Sequence, residues 1–379
     1  MVVAGALFVL LLDGNLPTPL YAVYRDDFGF SGTTLTLVFA VYAMALIPSL
    51  LIFGQLSDRV GRRPVIVGGL AVAALGLVLL ALAESTTALF VARAVQGLAL
   101  GTAVGTIPAA LVELEPRGDH GTSAMATVLG QSGGSAAGPL LAGALAQWAP
   151  APRQLCYLVG LVATVAVAVG VLAIREPRGE RGDWRLQKPS VPREVRTGFI
   201  RASLTCACVW AVGALFLSVV PSYAAELLET SDLALLGAIS AVMLAMACLA
   251  QAVCVRGTMT PRRAQPIGLV LLVSGIAALV LAFPLHALAL VLGAAVLAGL
   301  GLGFAYFGSQ AEINDLAPAE RRGEVTAAFI TCVYSAVTVS AISTGLLADA
   351  ISLSAAVAIV GGAVATVAAA ATAWHLRLR

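Results

Sequence analysis

The sequence predicts an all-α polytopic membrane protein whose twelve transmembrane helices form two six-helix bundles. Three observations carry that expectation: little charge, a regular series of apolar segments long enough to cross a bilayer, and a one-sided distribution of arginine. Charged residues make up 11% of the 379 residues and hydrophobic ones 60%, and the mean hydropathy is +0.96. A soluble domain carries about 25% charge, so this chain lacks the polar surface to face water on all sides. A net charge of +2 is too small to draw in nucleic acid.

A span needs about 20 largely apolar residues to cross the hydrocarbon. That ruler finds segments near 2–24, 34–54, 64–83, 87–111, 122–148 and 154–174. A charged stretch follows, and then segments near 199–224, 233–255, 265–283, 287–311, 324–348 and 351–374. The plan is therefore an N-terminal bundle over 1–174, a cytoplasmic linker over 175–198 and a C-terminal bundle over 199–379. The linker mixes both signs and contains Pro177, Pro189 and Pro192, the composition of a solvated, partly helical connector.

Orientation follows from counting basic residues by loop. Of the 22 Lys and Arg, all but Arg25, Arg153 and the intramembrane Arg93 fall on one side of this topology. Basic loops stay cytoplasmic, so both termini are expected in the cytoplasm of a cell inner (plasma) membrane protein. The N-terminal apolar run has no positive leader segment and continues through Asp13 and Pro17, so it reads as the first span and not as a signal peptide. It begins at Met1 itself, which leaves room for a short cytoplasmic leader upstream.

Soluble-enzyme chemistry finds little support. The six cysteines lie in or beside apolar segments without metal-ligand spacing, as small core residues do. His120, His286 and His375 are far apart in the topology, and neither an HExxH motif nor a Walker loop occurs. No metal, cofactor or ATP-driven step is expected, and the chain is not expected to be an enzyme.

The stretch between spans 2 and 3 reads Gly54-Gln55-Leu56-Ser57-Asp58-Arg59-Val60-Gly61-Arg62-Arg63-Pro64. Gly54 permits close helix approach, Gly61 a tight turn, and Asp58 can pair with arginine or with a helix N-terminus. Span 4 carries Arg93-Ala94-Val95-Gln96-Gly97 and, four residues on, Gly101. Span 5 spaces Gly130, Gly134, Gly138-Pro139 and Gly143 so that the glycines share one face, which lets a neighbouring backbone approach. Weaker echoes occur in the second half at Gly257–Arg263 and at Glu312 with 318–323, parallel to Glu113 and Pro116-Arg117-Gly118.

On these three motifs the chain resembles the major facilitator superfamily, and its span-5 motif resembles that of the drug or metabolite:proton antiporter branch. The resemblance covers the whole chain by topology and mainly the first half by motif. It implies a monomer that moves a small molecule by alternating access. It also implies conformational gating by Gly54, Asp58, Arg59, Gly61, Arg62 and Arg63, and by Gly134, Gly138 and Pro139.

Two charges lie well inside apolar spans, Asp13 and Arg93. A central charge costs about 2.5–3.5 kcal/mol on insertion scales, so each faces a cavity or a partner. Asp13 sits just before Pro17 and Pro19, which loosen the helix and free backbone that must be satisfied elsewhere. Burial favours the neutral acid and a nearby arginine the anion, so Asp13 is expected to carry a coupling proton or hold a cationic substrate group, with Arg93 modulating it. The plainer alternative is a static Asp13–Arg93 pair. Asn15, Tyr21, Tyr42, Gln96, Gln131, Trp210, Tyr223, Tyr306, Gln310 and Tyr334 are the candidate substrate contacts. Glu113, Glu312, Glu324 and Asp349 lie at helix ends, where solvation or capping is expected. The expected function is proton-coupled efflux of a bulky amphipathic drug-like or metabolite molecule; the alternative is a symporter or uniporter importing a nutrient such as a sugar or organic acid.

Overall fold

A computed structural model describes residues 1–115, 118–174, 176, 189–318 and 321–377, leaving aside the side chains of Gly54, Gln55 and Asp58. Most of the expected linker and the Asp58 side chain thus lie outside the described residues. The described residues form helices and no strand.

Span 1 is Val2–Asn15, a 3-10 turn at Thr18–Leu20 and a short helix Tyr21–Phe28. Spans 2, 3, 4 and 6 are Gly32–Val60, Arg62–Ala81, Thr86–Glu113 and Leu155–Leu172. Span 5 runs His120–Val128, Leu129–Gly133 and Gly134–Trp148, the middle piece being π-helical. Span 7 is Arg196–Ser218 with a short helix Val220–Leu228. Spans 8 to 12 are Leu233–Val255, Pro261–Leu285, Leu288–Leu316, Arg322–Ala350 and Leu353–Arg377. Eleven helical runs among the described residues are long and apolar enough to cross a membrane. Span 5 makes the twelfth, its π turn dividing it into pieces individually too short.

Local chemistry sets the ends. Ser31 and Ser85 accept from the Thr34 and Ala88 amides at the starts of spans 2 and 4, and Asp232 caps span 8 through Ala234 and Leu235. Such caps satisfy donors that the first turn leaves orphaned. Asp119 caps span 5, and the Thr122 hydroxyl, then the Gly121 amide, hold its carboxyl below the usual range. The motif expected in the loop between spans 2 and 3 is mostly helical, because its polar residues extend span 2 past the apolar segment. The break comes at Gly61, whose φ of +110° favours glycine, and a Cβ there would lie 2.5 Å from Glu176 Oε1. Glu176 also accepts from the Arg63 amide at 3.2 Å.

The halves repeat one packing device. A Cβ on Gly97 or Gly101 of span 4 would strike the span-2 backbone at Tyr42 or Leu46, and one on Gly299 or Gly303 of span 10 would strike span 8 at Met243 or Ala247. In both halves two glycines four residues apart bring the backbones of neighbouring spans together. Outward faces stay apolar, with Val162, Val169, Val339 and Leu346 exposed, as lipid contact requires. Of the cysteines, Cys156, Cys206, Cys208 and Cys254 are buried, whereas Cys332 is exposed.

Candidate functional site

Asp13, Arg93 and the break in span 1 form one buried arrangement. In an unbroken helix the Asp13 carbonyl would accept from the amide of residue 17, but Pro17 has none. Gln96 Nε2 donates to it instead, at 3.0 Å. Arg93 Nη1 donates to the next carbonyl, Gly14, at 2.9 Å and to Gln96 Oε1 at 2.7 Å. Asn15 Nδ2 turns back to the Leu11 carbonyl at 2.8 Å. The intramembrane arginine and its glutamine thus replace hydrogen bonds lost at the proline break.

The static Asp13–Arg93 pair does not form, because Arg93 is engaged by backbone and its guanidinium lies over the Tyr42 ring, 4.6 Å from the centroid. The Asp13 carboxylate turns the other way, to span 6. Oδ2 accepts from the Thr164 hydroxyl at 2.6 Å, and Oδ1 has no hydrogen-bond partner among the described residues. It fits there because residue 160 is glycine, where a Cβ would lie 2.8 Å from Oδ1. Asp13 is only 2% exposed. A cationic substrate group held by Asp13 therefore does not match this geometry.

Between the halves lies a cavity of about 770 Å³, within the range of small-molecule sites. Its wall includes Gln131, Trp210, Tyr306, Gln310 and Tyr334, all candidates from the sequence. Asn15 and Tyr42 line a small void of about 40 Å³ beneath it, together with Gln131, Trp210, Tyr306 and Tyr334. Polar contacts bridge the halves at this floor. Gln251 of span 8 donates to Ser132 Oγ of span 5 at 2.9 Å. Tyr306 and Gln131 lie beside one another there, as do Tyr42 and Tyr334. Gln131 and Ser132 both belong to the π-helical piece of span 5, a distortion frequent at functional sites.

Three candidates line neither the cavity nor the void. Tyr21 is 3% exposed inside an apolar cluster, and Gln96 is committed to the span-1 break. Tyr223 donates to the Leu279 carbonyl at 2.9 Å, holding the short terminal helix of span 7 to span 9. Sequence reasoning missed Thr164, Gln251, Ser132, Asn314 and Arg322. Gln251, an amide in an otherwise apolar run, carried the one signal that would have pointed to it.

The cavity opens at the end bearing Arg62, His120 and Arg322. There Arg62 pairs with Glu113 at 2.8 Å and donates to Ser57 Oγ at 2.5 Å, while Arg59 is exposed. In the second half Arg201 pairs with Glu312, which also accepts from Gln265 at 2.7 Å.

The opposite end is closed by two matching latches. Asp349, at the end of span 11, accepts from the Gly32 and Thr33 amides of span 2, both at 2.9 Å. Gln147, at the end of span 5, accepts from the Leu233 amide of span 8 at 2.9 Å. Asp349 does cap a helix, as its position suggested, but that helix belongs to the other half. Gly143 and Gly237 let spans 5 and 8 cross there, since a Cβ on Gly237 would strike the Pro139 carbonyl. Gly134 and Gly138 instead seat span 5 on span 1, at Phe8 and Leu12.

Loss of both latches, in Asp349→Ala with Gln147→Ala, removes about 2 kcal/mol of hydrogen bonding to helix starts. The closed end is expected to open roughly 10- to 30-fold more often. The rate of maleimide labelling at Thr36→Cys, in a Cys332→Ser background, measures this; an unchanged rate would show that helix packing alone keeps the end shut.

Comparison with known proteins agrees with this architecture. The sequence pattern of the Major Facilitator Superfamily matches residues 3–341. The chain is similar to the inner membrane transport protein YajR of Escherichia coli K12, 31% identical over 38% of this chain and 32% of YajR. It is also similar to the quinolone resistance protein NorA of Staphylococcus aureus, 22% identical over 45% of this chain and 44% of NorA. The chain thus matches less than half the length of these relatives. Its fold is similar to the crystal structure of a point mutant of the nucleoside transporter NupG, with a TM-score of 0.75, 13% identity and coverage of 98% of each chain. It is likewise similar to a bacterial homologue of the human lysosomal transporter Spinster in an inward-facing and occupied conformation, with a TM-score of 0.74, 17% identity and coverage of 99% of this chain and 95% of that one. With twelve spans, a cavity between its halves and a family match over residues 3–341, this multi-pass membrane protein belongs to the Major Facilitator Superfamily.

Proposed function

We propose that the protein is a secondary active transporter that exports a small aromatic, amphipathic molecule in exchange for protons. The observation that carries this reading is the Asp13 carboxylate, which is buried and, among the described residues, has no counter-ion and one oxygen without a hydrogen-bond partner. An unpaired buried carboxylate is costly, and protonation removes the cost. A membrane acid of this kind is suited to take up a proton in one conformation and release it in another.

The remaining parts fit an alternating-access cycle. By the positive-inside rule the open end, with Arg62 and Arg322, faces the cytoplasm, as do both termini, so the substrate enters from inside the cell. The halves 1–174 and 199–379, joined by 175–198, then rock about the floor contacts while the latches at Asp349 and Gln147 release. Gly54, Asp58, Arg59, Gly61, Arg62 and Arg63 accompany that movement at the cytoplasmic end, and Pro139 at the other. Export is favoured over import by the similarity to NorA, named for quinolone resistance. A single chain in the inner membrane suffices for the cycle.

Reconstitution into proteoliposomes tests the coupling. An acidic interior is expected to drive substrate uptake, since protons leave as substrate enters, and an uncoupler is expected to abolish it. Uptake driven only by an acidic exterior would instead identify a proton symporter.

A further inference from the structure

We propose that the cavity selects aromatic compounds that are uncharged or singly anionic and excludes lipophilic cations. This rests on the reading of the cavity as a substrate site and goes beyond it by assigning the charge of the substrate.

No described carboxylate lines the cavity. The buried acid, Asp13, directs its oxygens to Thr164 and the Gly160 pocket of span 6, and only its neighbours Gly14 and Asn15 reach the void under the floor. A cation entering the cavity therefore leaves water without a counter-charge, which is costly in a low-dielectric wall. The charged groups at the mouth are basic. Arg62 is balanced by Glu113, but Arg322 is exposed and has no ion-pair partner among the described residues. Its field opposes cations and attracts anions.

The aromatic groups do not reverse this preference. A cation over a ring gains about 0.5–2 kcal/mol, less than desolvating an unpaired charge costs. Arg93 already occupies the Tyr42 face. Trp210 and Tyr306 meet edge to face at 5.9 Å, so the edge of one ring covers the face of the other. The wall instead offers groups for neutral polar atoms: the amides of Gln131, Gln251, Gln310 and Asn314 line it.

The test compares three probes in full-length protein: chloramphenicol (uncharged), benzylpenicillin (singly anionic) and tetraphenylphosphonium (cationic). Equilibrium binding in detergent and gradient-driven uptake in proteoliposomes are both measured, with empty liposomes as the control. Chloramphenicol or benzylpenicillin is expected to bind at least about tenfold more tightly than tetraphenylphosphonium. Gln310→Glu, and independently Asn314→Asp at the exposed mouth, are expected to narrow that ratio by about tenfold by supplying the missing carboxylate. Equal or tighter binding of tetraphenylphosphonium to the wild-type protein overturns the proposal, as does binding of neither other probe. Binding with the expected preference but no uptake under either gradient would instead overturn proton-coupled transport and leave the charge preference standing.

Discussion

Asp13→Asn is expected to lower pH-gradient-driven uptake at least about 100-fold while substrate binding changes by less than about threefold. Asparagine is nearly isosteric with aspartate and can still accept from the Thr164 hydroxyl, which now donates to Oδ2 at 2.6 Å. It cannot exchange a proton, so only the coupling step is lost. Asp13 lies behind the cavity wall at 2% exposure, which is why binding is expected to survive. Removing an unpaired buried charge also relieves desolvation, so the variant is expected to be at least as heat-stable as the wild type in detergent. The measurement is uptake into acid-interior proteoliposomes beside equilibrium binding. Undiminished gradient-driven uptake would eliminate Asp13 as the proton carrier, and a parallel loss of binding would place it in the substrate site instead.

Arg93→Met is expected to destabilise the protein by about 3 kcal/mol, with a lower thermal midpoint in detergent and poor accumulation in the membrane. Methionine roughly fills the volume but offers no donor, leaving the Gly14 carbonyl and Gln96 Oε1 unpaired. Each unsatisfied buried acceptor costs roughly 1–3 kcal/mol. The contact with Tyr42 is lost as well. Arg93→Lys keeps the charge but replaces the planar fork with a single ammonium, and is expected to recover only part of the loss. A variant as stable as the wild type would mean that the span-1 carbonyls find other donors, so that the arginine acts chiefly through its charge.

The two substitutions separate roles that the sequence joined. Asp13 and Arg93 stood out together because each is a charge in an apolar span, and their opposite signs made a pair the natural alternative. Apart from Gln96, three residues on from Arg93, their partners lie on other spans. Thr164 is 151 residues from Asp13, and the Gly14 carbonyl is 79 residues from Arg93. Hydroxyls and carbonyls are too common in such a sequence to mark themselves as partners, and only helix packing selects them.

The same distinction runs through the cavity. Trp210, Tyr306, Gln310, Tyr334 and Gln131 were legible as polar or aromatic residues within spans, and they do line it. Tyr21 and Tyr223 had equal claims by composition but face packed interiors, because composition does not fix a helix's rotation about its axis. Low hydrophobic asymmetry makes that rotation hard to infer, since lipid and protein interior are similarly apolar.

What the sequence by itself determined was the number of spans, their order, the duplicated plan and the family. Each depends on segment length, charge placement or motif, all of which are read along the chain. Its span-5 glycine spacing also foretold close helix approach, and Gly134 and Gly138 do meet a neighbouring backbone. Tertiary structure alone decided the direction of the Asp13 carboxylate, the use of Arg93 to mend the break at Pro17, and the latches at Asp349 and Gln147. Those depend on how helices distant in sequence are rotated and stacked, because a side chain's partner is fixed by geometry across spans and not by its neighbours along one.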